Sequence, residues 1–132
     1  MENSESVAVL GGGSFGTVLA NLAASNGYNV SLWVRDSEQA LRINSEGANT
    51  TYHPELKLSK NIIASDNLKE VLNNKSIIFI ATPSIVFEQI VIRVSNYIDE
   101  KPYLVSCTKG ILDDPFRPLS EIISSKLKNT IG

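Results

Sequence analysis

The sequence predicts an α/β fold, a parallel sheet doubly wound by flanking helices, and three observations predict it. An all-apolar run, Val7-Ala8-Val9-Leu10, breaks into the turn Gly11-Gly12-Gly13-Ser14-Phe15-Gly16 and resumes with helical periodicity. Short apolar runs then alternate with helical segments along the chain, the pattern of a parallel sheet. Ile77-Ile78-Phe79-Ile80-Ala81 is apolar at every position, as a strand covered on both faces requires. Right-handed crossovers leave few other ways to wind such a chain, so a Rossmann-type sheet is expected.

The first strand and its loop organise the rest. Glycines 11, 13 and 16 have the Gly-x-Gly-x-x-Gly spacing, and each has a physical role. Gly11 permits a tight turn, Gly13 lets a pyrophosphate approach the backbone, and Gly16 lets the helix pack closely on the strand. Free N–H groups of the first helical turn then face the phosphates. The helix places Val18, Leu19, Leu22 and Ala23 on one face, and Asn26-Gly27 stops it.

Tyr28 to Val34 reads as the second strand. Asp36 and Gln39 resemble a capping pair opening a helix with Ala40, Leu41 and Ile43 on its apolar side. Residues 47–60 carry no clear period and read as loop, followed by a short strand, Ile62-Ile63-Ala64. Asp66 is the expected cap of a brief helix through Leu68, Val71 and Leu72 that ends at Asn73-Asn74. After the fourth strand, Thr82-Pro83-Ser84 starts a helix with Thr82 or Ser84 as cap, and its apolar positions include Ile85, Phe87, Ile90, Val91, Val94 and Ile98. Tyr103 to Ser106 is the fifth strand and Pro118 to Leu127 a last helix.

The 132 residues have the size of one domain, and 42% hydrophobic with 20% charged residues is the composition of an ordinary globular protein. A net charge of −2 supplies no field for nucleic acid or an anionic membrane. The N-terminus lacks a signal peptide and no apolar stretch reaches membrane-spanning length, so a cytoplasmic location is the expectation. A single cysteine, Cys107, excludes an internal disulfide framework and reads as a buried inert thiol, and a single histidine, His53, excludes a multi-histidine metal site. His53 reads as a loop histidine with a hydrogen-bond partner. Trp33 and Phe79 read as core, and Asp113-Asp114 as solvated acids.

In a doubly wound sheet ligands bind at the carboxyl ends of the strands. Those ends carry the glycine loop, Arg35-Asp36, Thr82-Pro83-Ser84 and Thr108-Lys109-Gly110. The candidate cofactor-binding residues at those ends are Gly11, Gly13 and Gly16 of the loop, Arg35, Asp36, Pro83 and Lys109. Asp36 has about the offset of an acid that binds a ribose 2′-hydroxyl but is also placed to cap a helix, whereas Arg35 can contact a 2′-phosphate or stack on adenine. The balance favours NADP, with NAD accepted. Lys109, an ammonium before a flexible glycine, can hold a phosphate or steady an oxygen on which negative charge develops.

These residues also carry a resemblance. The loop Gly11 to Thr17 with Leu19-Ala20, then Leu32-Trp33-Val34-Arg35, Ile43-Asn44, Asn49, Tyr52, Pro54, Ala81-Thr82-Pro83-Ser84 and Thr108-Lys109-Gly110-Ile111 resemble the bacterial NAD(P)-dependent glycerol-3-phosphate dehydrogenases. His53 departs from the pattern, standing where an apolar residue is usual. The resemblance implies interconversion of dihydroxyacetone phosphate and sn-glycerol 3-phosphate by hydride transfer with NAD(P)H, feeding glycerophospholipid synthesis. It implies that Ser14, Phe15 and Arg35 contact the cofactor and that Lys109 is catalytic, lying between cofactor and substrate and binding the latter.

It also implies that residues 1–132 form one NAD(P)-binding domain, the C-terminal helical domain with a second lysine lying outside this chain. The fragment alone is then expected to bind dinucleotide weakly, to turn over little and to form a homodimer through apolar surface. The expected partners are otherwise the small-molecule substrate, with neither nucleic acid nor membrane insertion. Two other readings remain: another Rossmann oxidoreductase, of ketopantoate reductase or nucleotide-sugar dehydrogenase type, and a non-catalytic dinucleotide-sensing module.

Overall fold

A computed structural model describes residues 6–98 and 102–106. Nine elements follow in order: β1 (Ser6–Leu10), α1 (Ser14–Ser25), β2 (Asn29–Trp33), α2 (Ser37–Glu46), β3 (Ile62–Ser65), α3 (Leu68–Leu72), β4 (Ile77–Ile80), α4 (Ser84–Ser95) and β5 (Tyr103–Ser106). The five strands are all parallel in the order β3-β2-β1-β4-β5. The chain winds outward from β1 in one direction and then in the other, so the winding reverses between β1 and β4. This is the doubly wound sheet expected from the alternation of strands and helices. The expected last helix, Cys107 and Lys109 lie outside the described residues.

Strand pleating divides the core in two. Ala8 and Leu10 of β1 join Ile78, Ile80, Leu104 and the helix residues Phe87, Ile90, Val91 and Val94 on one face. Val7 and Val9 join Val30, Leu32, Ala20, Ala24, Ala40 and Ile43 on the other. Trp33 belongs to the first cluster, and Phe79 packs against the second. Each fully buried large side chain contributes on the order of 1.5–3 kcal/mol.

The helix faces differ from expectation. Gly16, Thr17, Ala20 and Ala24 are the buried residues of α1, while Val18 and Leu22 are exposed. Small residues let α1 lie close on the sheet, which turns the larger ones outward. Leu41 and Ile85, expected on apolar sides, are also exposed, Ile85 at 88%.

Caps differ as well. Asp36 caps α2 by accepting from the Glu38 N–H at 3.0 Å, but Gln39 does not complete a capping pair, because its side chain reaches the glycine loop. Asn67, one residue beyond Asp66, caps α3 by accepting from the Glu70 N–H at 3.1 Å. Pro83 occupies the cap position of α4 without a side-chain cap hydrogen bond, its fixed φ suiting the start of a helix. The α3 helix does end at Asn73, and Asn74 turns the chain with φ of 57°.

Candidate functional site

A cavity of about 880 Å³ opens at the carboxyl ends of the strands, beside the β1–β4 switch point. Residues following each of β1, β2, β3 and β4 line it. Gly11, Gly13, Ser14, Phe15 and Gly16 come from the first loop, Arg35 and Asp36 from the second, Asp66 from the third and Pro83 from the fourth. Every expected site residue within the described part of the chain is thus brought to one cavity.

The glycine loop is shaped by close backbone approach. Gly11 has φ of 124°, in the left-handed region, and a Cβ there would lie 2.6 Å from the Ala81 carbonyl oxygen. A Cβ on Gly16 would collide with the Gly11 carbonyl, so α1 starts against the end of β1 only because Gly16 has no side chain. Gly13 differs, for an added Cβ would meet nothing within 4 Å. Its space is an open cradle at the start of α1, of the kind a phosphate fills.

A buried polar network orients that cradle. Asn49 Nδ2 donates to the Gly12 carbonyl at 2.8 Å and to Thr17 Oγ1 at 2.7 Å. Gln39 Nε2 donates to the same carbonyl at 3.0 Å and to Asn49 Oδ1 at 3.2 Å. Thr17 Oγ1 in turn donates to the Gly13 carbonyl at 2.7 Å. Both carbonyls are therefore drawn towards Asn49 and Thr17, which are buried. Across a planar trans peptide the following N–H points the opposite way. The Gly13 and Ser14 N–H groups are thereby directed away from the network, and α1 adds the positive end of its dipole.

This network was not assigned from the sequence. Asn49 lies 37 residues from Gly12, in a segment without periodicity, and no local spacing marks the pair.

The opposite wall is formed by α4. Val86, Gln89, Ile90 and Arg93 line the cavity with the three- and four-residue spacing of one helical stripe. The Arg93 guanidinium lies 5.5 Å from the centre of the Trp33 ring, a cation–π contact. Trp33 Nε1 donates to the Asp66 carbonyl at 3.1 Å, which fixes the ring in the cavity wall. Phe15 is 57% exposed and Tyr52 49% exposed, and both border the cavity. His53 has the hydrogen-bond partner expected of a loop histidine, namely Ser14. Among the described residues no group of three or more His, Cys, Asp or Glu is placed to hold a metal, and no helix is long and apolar enough to cross a membrane.

Comparison with known proteins agrees with this geometry. A family model described as NAD-dependent glycerol-3-phosphate dehydrogenase N-terminus matches residues 6–132. The glycerol-3-phosphate dehydrogenase (NAD(P)+) of Alcanivorax borkumensis is 42% identical over 122 residues, spanning 92% of this chain and 36% of its own. That of Teredinibacter turnerae is 38% identical over 129 residues, spanning 98% of this chain and 38% of its own. The crystal structure of glycerol-3-phosphate dehydrogenase from Coxiella burnetii superposes with a TM-score of 0.89 at 31% identity, covering 96% of this chain and 39% of that one. The chain spans little more than a third of the length of the curated relatives it matches.

Proposed function

The chain belongs to the NAD-dependent glycerol-3-phosphate dehydrogenase N-terminal family, and from that premise we propose that it is the dinucleotide-binding part of an enzyme interconverting dihydroxyacetone phosphate and sn-glycerol 3-phosphate. The observation that carries the reading is the network of Asn49, Gln39 and Thr17, which presents loop N–H groups around the open space at Gly13. Those groups suit a pyrophosphate.

Within this reading Ser14 and Phe15 contact the cofactor beside the loop. Arg35 meets the adenosine end, and Asp36, whose Oδ1 is engaged by the Glu38 N–H, is left a secondary part there. Pro83 supplies a flat apolar surface at the start of α4. The bound nicotinamide supplies the hydride. Lys109 holds the substrate and steadies its developing negative charge. Residues 1–132 act as one cofactor-binding domain, with the rest of the substrate pocket in chain beyond it. Location in the cytoplasm and service to glycerophospholipid synthesis belong to the same proposal. Self-association would act through the exposed Val18 and Leu22 of α1, and sedimentation at increasing concentration tests it.

The test of the cofactor reading is titration of the chain with NADPH and, separately, NADH, followed by the fluorescence of Trp33, the only tryptophan. Binding of both, tighter for NADPH, is expected. Binding of neither, by this chain and by a longer chain that carries the rest of the substrate pocket, overturns the assignment.

A further inference from the structure

We propose that His53 is a positioning residue for the glycine loop, and that protonation of its ring tightens the grip of the loop on an anionic dinucleotide. The inference rests on the dinucleotide reading above. His53 Nε2 lies 3.0 Å from Ser14 Oγ and 3.0 Å from the Ser14 carbonyl oxygen. Ser14 is the first residue of α1, at the cradle. The partly buried imidazole thus engages two atoms of one loop residue from 39 positions away.

A single nitrogen serves those atoms differently in its two states. Without a proton, Nε2 accepts from the Ser14 hydroxyl, which then spends its hydrogen on the ring. With a proton, Nε2 donates to Ser14, and the hydroxyl is free to donate to a phosphate oxygen. Full protonation enforces the second arrangement and adds a positive charge beside the first turn of α1. Alone, that charge opposes the positive end of the helix dipole; beside a pyrophosphate it is compensated. Anion binding therefore favours the protonated ring, and by reciprocity the protonated ring favours the anion.

The charged residues that line the same cavity as Ser14 are Arg35, Asp36, Asp66 and Arg93. The element against the ring is α1, whose residues Ser14–Ser25 include no ionisable side chain. On the loop of His53 itself the other ionisable residues are Tyr52, Glu55, Lys57 and Lys60, all exposed. Histidine is the side chain that ordinarily changes charge between about pH 5 and 8.

His53 is the only histidine of the chain, so in an untagged sample its imidazole proton resonance is unambiguous. The experiment follows that resonance through a pH titration with and without saturating NADH. NADH is the appropriate probe because NADPH carries a 2′-phosphate monoester, whose own second ionisation falls near pH 6. The midpoint is expected to move up by about half a unit when NADH binds, equivalent to roughly threefold tighter binding at the acid end. Affinity is then greatest below the midpoint of the free protein and declines as pH rises through that of the complex.

His53→Gln keeps a side-chain N–H donor without the change of charge, and its NADH affinity is expected to be flat across the same range. An unmoved or lowered midpoint in a protein that binds NADH overturns the proposal alone, as does a His53→Gln variant with the wild-type pH profile. Failure of the wild type, both as this chain and as the longer chain, to bind NADH at any pH overturns the dinucleotide reading and this proposal together.

Discussion

Asn49 is the residue on which the loop geometry turns, because its amide holds the Gly12 carbonyl and the Thr17 hydroxyl at once. Asn49→Ala removes three hydrogen bonds of a buried side chain, to the Gly12 carbonyl, the Thr17 hydroxyl and the Gln39 amide, and is expected to cost about 1–3 kcal/mol, measured by chemical denaturation. Dinucleotide affinity should fall further than this stability loss explains, because the Gly13 and Ser14 N–H groups lose their fixed direction. Arg35 tests a different property. Arg35→Gln is expected to weaken NADPH about tenfold and NADH far less, consistent with loss of one charge-assisted phosphate contact of about 1.4 kcal/mol; equal weakening of both would remove Arg35 from a 2′-phosphate role. The place of the glycines and Arg35 in the cavity lining was legible in the sequence because each lies a short, local distance past a strand end. Asn49, Gln39 and Arg93 were not, because each acts on a partner reached only after the chain has folded.

Strands were more legible than helix faces, and the reason is physical. A strand buried on both sides has to be apolar at nearly every position, as Ile77 to Ile80 are. A helix face is chosen by how closely the helix can lie on the sheet. In α1 the choice fell on Gly16, Thr17, Ala20 and Ala24, which hydrophobicity alone ranks below Val18 and Leu22. The edge strand β3 shows another device. Asn44 of α2 donates to the Ala64 carbonyl at 2.9 Å and accepts from the Ala64 N–H at 2.8 Å, occupying backbone groups of an edge strand with a side chain. Asn44→Ala is expected to cost about 1–3 kcal/mol and to speed amide exchange at Ala64 before it speeds exchange in β1.

The α3–β4 connection carries a pH signature. Burial lowers Lys75 below the ordinary lysine value of 10.5. Just below that value the unfolded chain therefore binds more protons than the folded one, and stability attributable to Lys75 rises with pH. The stability of wild type relative to Lys75→Gln should shift in favour of wild type as pH rises towards the ordinary lysine value of 10.5, as read from denaturation midpoints.

For the molecule as a whole, a ligand that spans the loops after β1, β2 and β4 ties both halves of the sheet together. A dinucleotide at a hundredfold excess over its dissociation constant should add about 2.7 kcal/mol to global stability, seen as a rise in melting temperature. A rise restricted to local loop protection, with no change in melting temperature, would mean that the cavity is not the binding site. The same sheet order has a kinetic consequence. The central strand β1 is the first to be made, yet its neighbour on one side comes about 70 positions later, where Val7 pairs with Ile77. At roughly 5–20 residues per second, the ribosome needs on the order of 4–14 s to deliver that partner. During that interval β1 can join β2 and β3 while its other edge, and the Ala8 and Leu10 side chains destined for the α3–α4 face, stay uncovered. The nascent chain thus passes through a stage in which half a sheet offers an unpaired apolar edge, the kind of surface on which holding chaperones act.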